Sequence, residues 1–321
     1  LNKNNLRYSA AIEALIEKHS QEGNDSMWSI WRERQVNRNE YGGNYSFVLG
    51  RRADTDKPLY LNFESAFEGS PAHAPYTLVT GMTGSGKSSF LRNLILDIAM
   101  TNSPDLAAIK VFDPNGGWAF ESLKGLHRMR VETNIETTKS YLESITKSIA
   151  AHEQLFETLG VKTLEECNKV LGLKKRILRT FVIIDEIAVW LIDDDFKAKL
   201  IEALEAISNK GWSTGYHLVL ATQWPDPRVL PREIRDYFGN RISLKLPTAD
   251  MSEYALGIKG AESLTELGHM LAILGNESAP INCWVPWLSD EDAERMVTAI
   301  RVAEEFSLIL DRERQSALLF D

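Results

Sequence analysis

Apolar residues in this chain follow two rhythms, and the alternation between them predicts its architecture. Short runs in which nearly every position is apolar or β-branched, "YTLVTG" from 76, "AAIKVFD" from 107, "TFVIID" from 180 and "YHLVLAT" from 216, are closed by turn residues or acids. Between them lie segments of helical period over 87–100, 134–159, 163–171 and 196–209. Continuous apolar runs are what strands buried on both faces require, and strands separated by helices give a parallel sheet covered on both sides. Ahead of this series, "YSFVLG" and "PLYLNF" read as short strands flanking the turn-rich "RRADTDK". After it, "ISLKL", "MLAIL" and "INCWV" add further strands, and a closing helix follows in which Ser289 and Asp292 have the spacing of an N-terminal cap.

Upstream, Tyr8, Ile12, Leu15, Ile16 and His19 fall on one helical stripe within residues 6–22, with Gly23 placed to close the helix. The polar stretch "NRNEYGGN" (37–44) then reads as a linker. The expected organisation is a helical lead-in and linker over 1–40, an α/β domain over 41–297, and a C-terminal helix and tail over 298–321.

Composition narrows the function classes. A formal charge of −9 over 321 residues means that any contact with nucleic acid is confined to a local basic patch. Cys167 and Cys283 stand far apart, which fits a reducing compartment, inert core thiols and no structural zinc site. No run approaches the roughly 18 apolar residues that a membrane helix needs. With no such run and no basic-then-apolar leader, a cytoplasmic location is expected; the chain starts at Leu1 without a methionine, as an excised piece would, and a tether to the inner face of the membrane would then lie upstream.

The chemistry is concentrated in "GMTGSGKSS" (81–89), where Gly81, Gly86, Lys87 and Ser88 satisfy G-x-x-x-x-G-K-[ST] between a strand and a helix. Such a loop turns its backbone N–H groups inward on phosphate, so Gly81, Met82, Thr83, Gly84, Ser85, Gly86, Lys87, Ser88 and Ser89 are the candidate ATP contacts. Lys87 is expected to reach the β and γ phosphates and Ser88 to ligate Mg²⁺. In "FVIIDEI" a buried strand ends in two acids. Asp185 is the candidate Mg²⁺ partner and Glu186 the candidate base for an attacking water. Seen alone, two acids at a strand end are ordinarily a solvated rim; the loop changes that reading. Gln223, closing "YHLVLATQ", is placed to touch both the γ phosphate and that water.

In chain order, "FVLGRR", "PLYLNF", "VFDP", "LGVKTLEECN", "LVLATQWP", "NRISLKL" and "GAESLTELGHML" together resemble the FtsK/SpoIIIE family of DNA translocases over about residues 46–297. The resemblance implies a RecA-like P-loop NTPase fold, assembled as a homo-hexamer around double-stranded DNA with ATP between neighbours. It also implies an arginine donated by the adjacent subunit, for which Arg241 in "NRI" and Arg235 are the candidates. Four residues depart from the family pattern: Met251 and Glu253, either side of Ser252, where Asp-Ser-Arg is common, His269 where an aspartate is usual, and Trp224 where an arginine often stands.

For DNA, the densest basic cluster is "GLKKRILR" (172–179), with Lys174, Lys175, Arg176 and Arg179; its bland alternative is a solvated helix end. Lys162, in the segment that resembles a translocase pore loop, joins these candidates. Conjugative or mobile-element DNA transfer, alongside membrane-associated transfer machinery, is the leading expectation. A type VII secretion-like ATPase handling protein, a chromosome-segregation translocase fragment and a non-hydrolysing adaptor stay open.

Overall fold

The computed structural model describes residues 10–19, 23, 25–36, 45–63, 72–126, 128–172, 175–275 and 279–317. Two helices, α1 (Ala10–His19) and α2 (Met27–Val36), precede an antiparallel hairpin of β1 (Ser46–Arg52) and β2 (Pro58–Asn62). The expected series follows: β3 (Tyr76–Thr80), α3 (Lys87–Thr101), β4 (Ala107–Phe112), β5 (Val131–Glu132), α4 (Ile135–Leu159), α5 (Leu164–Leu171), β6 (Arg179–Ile184), α6 (Asp194–Ala206) and β7 (Tyr216–Thr222). The chain closes with β8 (Asn240–Leu244), α7 (Ala249–Leu256), β9 (His269–Ile273), β10 (Ile281–Trp284) and α8 (Asp290–Ala317).

All the described strands join one ten-stranded sheet in the order β2-β1-β10-β9-β8-β3-β7-β6-β4-β5. From β8 to β5 every pairing is parallel, while β9, β10, β1 and β2 extend the β8 edge antiparallel. The strand that ends in the glycine-rich loop, β3, is thus separated from the acid-bearing β6 by β7 alone. That order places the ends of three adjacent strands around one point, at the carboxyl edge where open α/β sheets bind ligands.

The continuous apolar runs have the meaning expected of them. In β6, Phe181 and Ile183 face one core with α2, α3 and α8, and Val182 and Ile184 face a second core with α4 and α6. Local capping agrees with the sequence at several ends. The Asn134 side chain accepts from the amides of Glu136 and Thr137 at the start of α4, Gly160 ends that helix at φ +66°, and Ser289 and Asp292 form the reciprocal cap of α8.

The lead-in behaves differently from expectation. The proposed linker, 37–44, lies outside the described residues, but α2 is packed into the main core through Met27, Trp28, Ile30 and Trp31. Asp97 of α3, completely buried, accepts from Trp31 Nε1 at 2.8 Å, from the Val48 amide at 2.8 Å and from the Arg34 guanidinium at 3.2 Å. One carboxylate therefore fastens α2 and β1 to the helix that follows the phosphate loop. A boundary near Tyr41 does not divide two packed bodies. The periodicity of 27–36 was missed because its indoles and arginines alternate without a clean apolar stripe.

Candidate nucleotide site

The loop after β3 is sewn to both neighbouring strands: the Gly81 amide donates to Thr222 O at 3.3 Å and the Met82 amide to Lys245 O at 2.8 Å. Gly84 and Gly86 take φ values of +78° and +103°, which L side chains rarely adopt. Gly86 has a second reason to lack a side chain, since a Cβ there would stand 3.2 Å from the backbone of Gly268. The Gly268 amide in turn donates to Ser85 O at 3.0 Å, so the turn before β9 props the loop from outside. Thr83, Gly84, Ser88 and Ser89 are exposed, whereas Ser85 is buried with its hydroxyl unpartnered. A curled backbone, an exposed helix N-terminus and an orphaned hydroxyl suit a phosphate chain.

Facing the loop are the acids at the end of β6. Lys87 forms an ion pair with Asp185 and lies 3.8 Å from Glu186 Oε2; all three are buried. Glu186 holds a left-handed backbone at φ +45°, unfavourable for a residue with a Cβ, and its surroundings pin it there. Its carboxylate accepts the Gln223 amide at 3.2 and 3.1 Å and the Thr222 hydroxyl at 3.0 Å, and its own amide donates to Asp185 Oδ1 at 2.9 Å. Burial pushes the Glu186 pKa up, while Lys87 and the donors at Gln223 and Thr222 pull it back. Gln223 closes the circuit, because its side-chain oxygen accepts from Thr83 of the loop while its backbone holds Glu186. The structure brings Lys87, Asp185, Glu186 and Gln223 together.

One carboxylate was passed over as a site residue in the sequence. Asp113, buried at the end of β4 beside Asp185, accepts the amides of Asn115 at 2.8 Å and Gly117 at 2.9 Å. Burial pushes its pKa up against those donors, and the Asp185 charge adds to the rise. The signal was present in "VFDP", an acid closing a largely apolar strand, but nothing in one chain says that β4 lies next to β6.

The two candidate trans arginines are each held by a carbonyl outside the phosphate loop. Arg241 pairs in register with Leu78, in the first half of β8, and its Nε donates to Phe238 O at 2.9 Å. Burial, then the nearby Arg235, lowers the pKa of its guanidinium. Arg235 donates to Tyr254 O at 3.0 Å and lies over the Tyr254 ring at 4.7 Å.

The basic cluster does not survive as a unit. Arg179 opens β6 rather than a helix end; it is buried, ion-paired with Glu165, bonded to His217 Nε2 at 2.9 Å and stacked 4.4 Å from the Tyr45 ring. It is not available to a phosphate backbone, and the expected DNA role is corrected for this residue. Arg176 is half-buried, Lys175 and Lys162 are exposed, and Lys174 lies outside the described residues. Both cysteines are buried and free, as expected, and among the described residues no helix is long and apolar enough to cross a membrane.

Comparison with known proteins places this geometry in a family. The FtsK/SpoIIIE family profile matches residues 34–273. The chain is 30% identical over 230 residues to the ESX secretion system protein YukB of Bacillus subtilis (strain 168), covering 69% of this chain and 15% of that protein. It is 29% identical over 241 residues to the DNA translocase FtsK of Streptococcus pyogenes serotype M6 (strain ATCC BAA-946 / MGAS10394), covering 72% of this chain and 30% of that one. The chain thus spans less than a third of the length of these curated relatives. Among solved structures, the cytoplasmic domain of the Thermomonospora curvata type VII secretion ATPase EccC superposes with a TM-score of 0.66 at 24% identity, over 80% of this chain and 31% of that one. The pCW3 conjugation coupling protein TcpA, in a monomer form with ATPγS, gives 0.64 at 22% identity, over 82% and 72%. Likeness at these identities speaks to the fold, which is that of a RecA-like P-loop ATPase, whereas the profile match covers most of the sequence: the chain belongs to the FtsK/SpoIIIE family.

Proposed function

We propose that this chain is an ATP-hydrolysing motor domain that moves duplex DNA, working as a homo-hexameric ring in conjugative or mobile-element transfer. The observation that carries the hydrolytic part is the buried set of Lys87, Asp185 and Glu186, with Glu186 clamped by Thr222 and Gln223. A phosphate-binding adaptor has no use for a carboxylate held in a strained conformation beside the phosphate lysine.

In this reading the loop amides of residues 82–88 and Lys87 hold the β and γ phosphates, and Ser88 with Asp185 holds Mg²⁺ through hard oxygen donors. The metal supplies charge neutralisation on the phosphate oxygens. Glu186 orients a water and takes its proton, and its fixed rotamer removes the entropy of finding that position. Gln223 touches both the loop and Glu186 and passes the state of the site to the segment that follows β7. Arg241 or Arg235, each held by a carbonyl outside the phosphate loop, serves a neighbouring subunit.

DNA as cargo is supported by the family and by the name of the DNA translocase FtsK, and the conjugative setting by the name of the conjugation coupling protein TcpA, with exposed Lys162 and Lys175 as the backbone contacts. A second reading, protein as cargo, is favoured by the −9 charge, by the loss of Arg179 from the basic cluster, and by relatives named for ESX secretion. Steady-state ATP hydrolysis with and without long duplex DNA at two salt concentrations separates them. A DNA motor shows stimulation that fades with salt, because phosphate contacts release counterions. Hydrolysis indifferent to DNA at low salt would overturn the DNA reading and favour protein cargo.

A further inference from the structure

Asp113 is a buried carboxylate to which the hydrolytic scheme gives no task. Strand register sets it against the candidate metal acid. Phe112 of β4 pairs with Ile184 of β6, and the Asp185 amide donates to Phe112 O at 2.8 Å, so Asp113 and Asp185 leave two adjacent strands side by side. Neighbouring strands run about 4.8 Å apart. Glu186 follows at the same edge, and Lys87 is ion-paired with Asp185 and 3.8 Å from Glu186. Three buried carboxylates thus share the neighbourhood of the Lys87 ammonium, and Asp113 feels the charges of both Asp185 and Lys87.

Unlike its neighbours, Asp113 is fully occupied by its own turn. Its Oδ1 accepts the Asn115 amide at 2.8 Å and its Oδ2 the Gly117 amide at 2.9 Å, while its backbone amide donates to Glu132 O of β5 at 2.9 Å. An acceptor bond on each oxygen is the pattern of an ionised carboxylate. The turn is tightly specified: Gly116 and Gly117 take φ values of +91° and +79°, and a Cβ on Gly117 would stand 3.1 Å from Val131. The carboxylate cannot swing toward a ligand without undoing that turn. It is a fixed charge.

In the ATP reading Lys87 turns to the β and γ phosphates, which leaves the three carboxylates facing a polyphosphate of their own sign. At separations of a few ångströms in a partly dry site such repulsion is large. A divalent cation between them reverses its sign, and each carboxylate behind the cation adds to the gain. We propose that Asp113 makes the site selective for the metal complex of the nucleotide, its fixed charge opposing metal-free ATP and strengthening the hold on Mg²⁺ without coordinating it. The inference rests on the ATP reading of the phosphate loop and deepens it, by stating which form of the nucleotide the site accepts. It also explains why a buried acid is maintained at the end of β4, where a neutral turn residue could cap the same amides.

Calorimetric titration of the whole chain with ATP, in EDTA and at stepped concentrations of free Mg²⁺, tests this. Asp113→Asn and Asp113→Ser both remove the charge, and each keeps a side-chain oxygen that can accept an amide of the turn. In both variants ATP is expected to bind about threefold more tightly than to wild type in EDTA, while the free Mg²⁺ that gives half of the full tightening rises about tenfold. Gly117→Ala disturbs the same turn with the charge intact, and is expected to weaken ATP binding in both conditions and leave the Mg²⁺ half-point within about twofold of wild type. Damage to the turn alone cannot produce opposite shifts. If the neutral variants bind metal-free ATP no more tightly than wild type, if their Mg²⁺ half-point stays within twofold, or if Gly117→Ala reproduces their pattern, the role of Asp113 is overturned and the loop reading stands. Wild-type protein that binds ATP equally with and without Mg²⁺ also overturns that role alone, whereas wild-type protein that binds ATP in neither condition overturns the loop reading with it.

Discussion

Replacing Glu186 by glutamine isolates the proton-accepting step from everything else this residue does. The carboxylate takes three hydrogen bonds, from the Thr222 hydroxyl at 3.0 Å and from the Gln223 amide at 3.2 and 3.1 Å. A glutamine amide oxygen can accept from both groups in the same place, so the clamp survives. The lost ion pair with Lys87 spans 3.8 Å, and Lys87 keeps Asp185 as its partner. Removing a buried charge also removes its desolvation penalty, so folding stability should change by less than about 1 kcal/mol. Nucleotide affinity should stay within about threefold of wild type. Turnover should not: a positioned general base contributes about 10²–10⁴ in rate, or about 2.7–5.4 kcal/mol in the barrier. Steady-state hydrolysis, nucleotide titration and thermal unfolding on the same preparation separate the three effects. Turnover reduced by less than tenfold would show that Glu186 is not the base. A fall in affinity or melting temperature parallel to the fall in rate would show that its role is to hold the loop together.

Two more outcomes follow from the buried polar groups that position the site. Asp97→Ala removes the carboxylate that the Trp31 indole, the Val48 amide and the Arg34 guanidinium share, and breaking a buried pair of this kind costs about 3–5 kcal/mol; urea denaturation showing a loss below about 1 kcal/mol would mean that α2 is not fastened to α3 through this carboxylate. His217 accepts from Arg179 at Nε2, and burial followed by the Arg179 charge holds its pKa well below the ordinary histidine value of 6.5. The unfolded chain therefore takes up a proton first as pH falls, so stability is full above about pH 6.5 and declines below it. Denaturation at pH 7.5 and 5.5 should show that decline in wild type and a smaller one in His217→Gln; equal slopes would remove His217 as the cause.

Much of the candidate site was legible because its signals are short in range. Gly81, Gly86, Lys87 and Ser88 sit within eight consecutive positions, and the apolar run before Asp185 and Glu186 marks a buried strand end wherever it occurs. Asp113 was illegible as a site residue, since its importance depends on β4 lying beside β6. That adjacency is set by a pairing between residues such as Ile109 and Phe181, far apart in the chain.

The same distinction applies to the basic cluster. Charge density along "GLKKRILR" says where cations occur, but burial decides which of them meet solvent, and the pairing of Arg179 with Glu165 and His217 is made by three elements that only folding assembles. Trp28 and Trp31 likewise gave no clean helical stripe; both are buried in the main core, and Trp31 is fixed there by its bond to Asp97 across on α3. The strands and helices of the central α/β series, the phosphate loop and the acid pair were determined by local pattern, because propensity and motif geometry act over a few residues. The clamp on Glu186, the place of Asp113 beside Asp185 and the withdrawal of Arg179 were decided by tertiary structure, because burial and pairing between distant segments are properties of the packed chain.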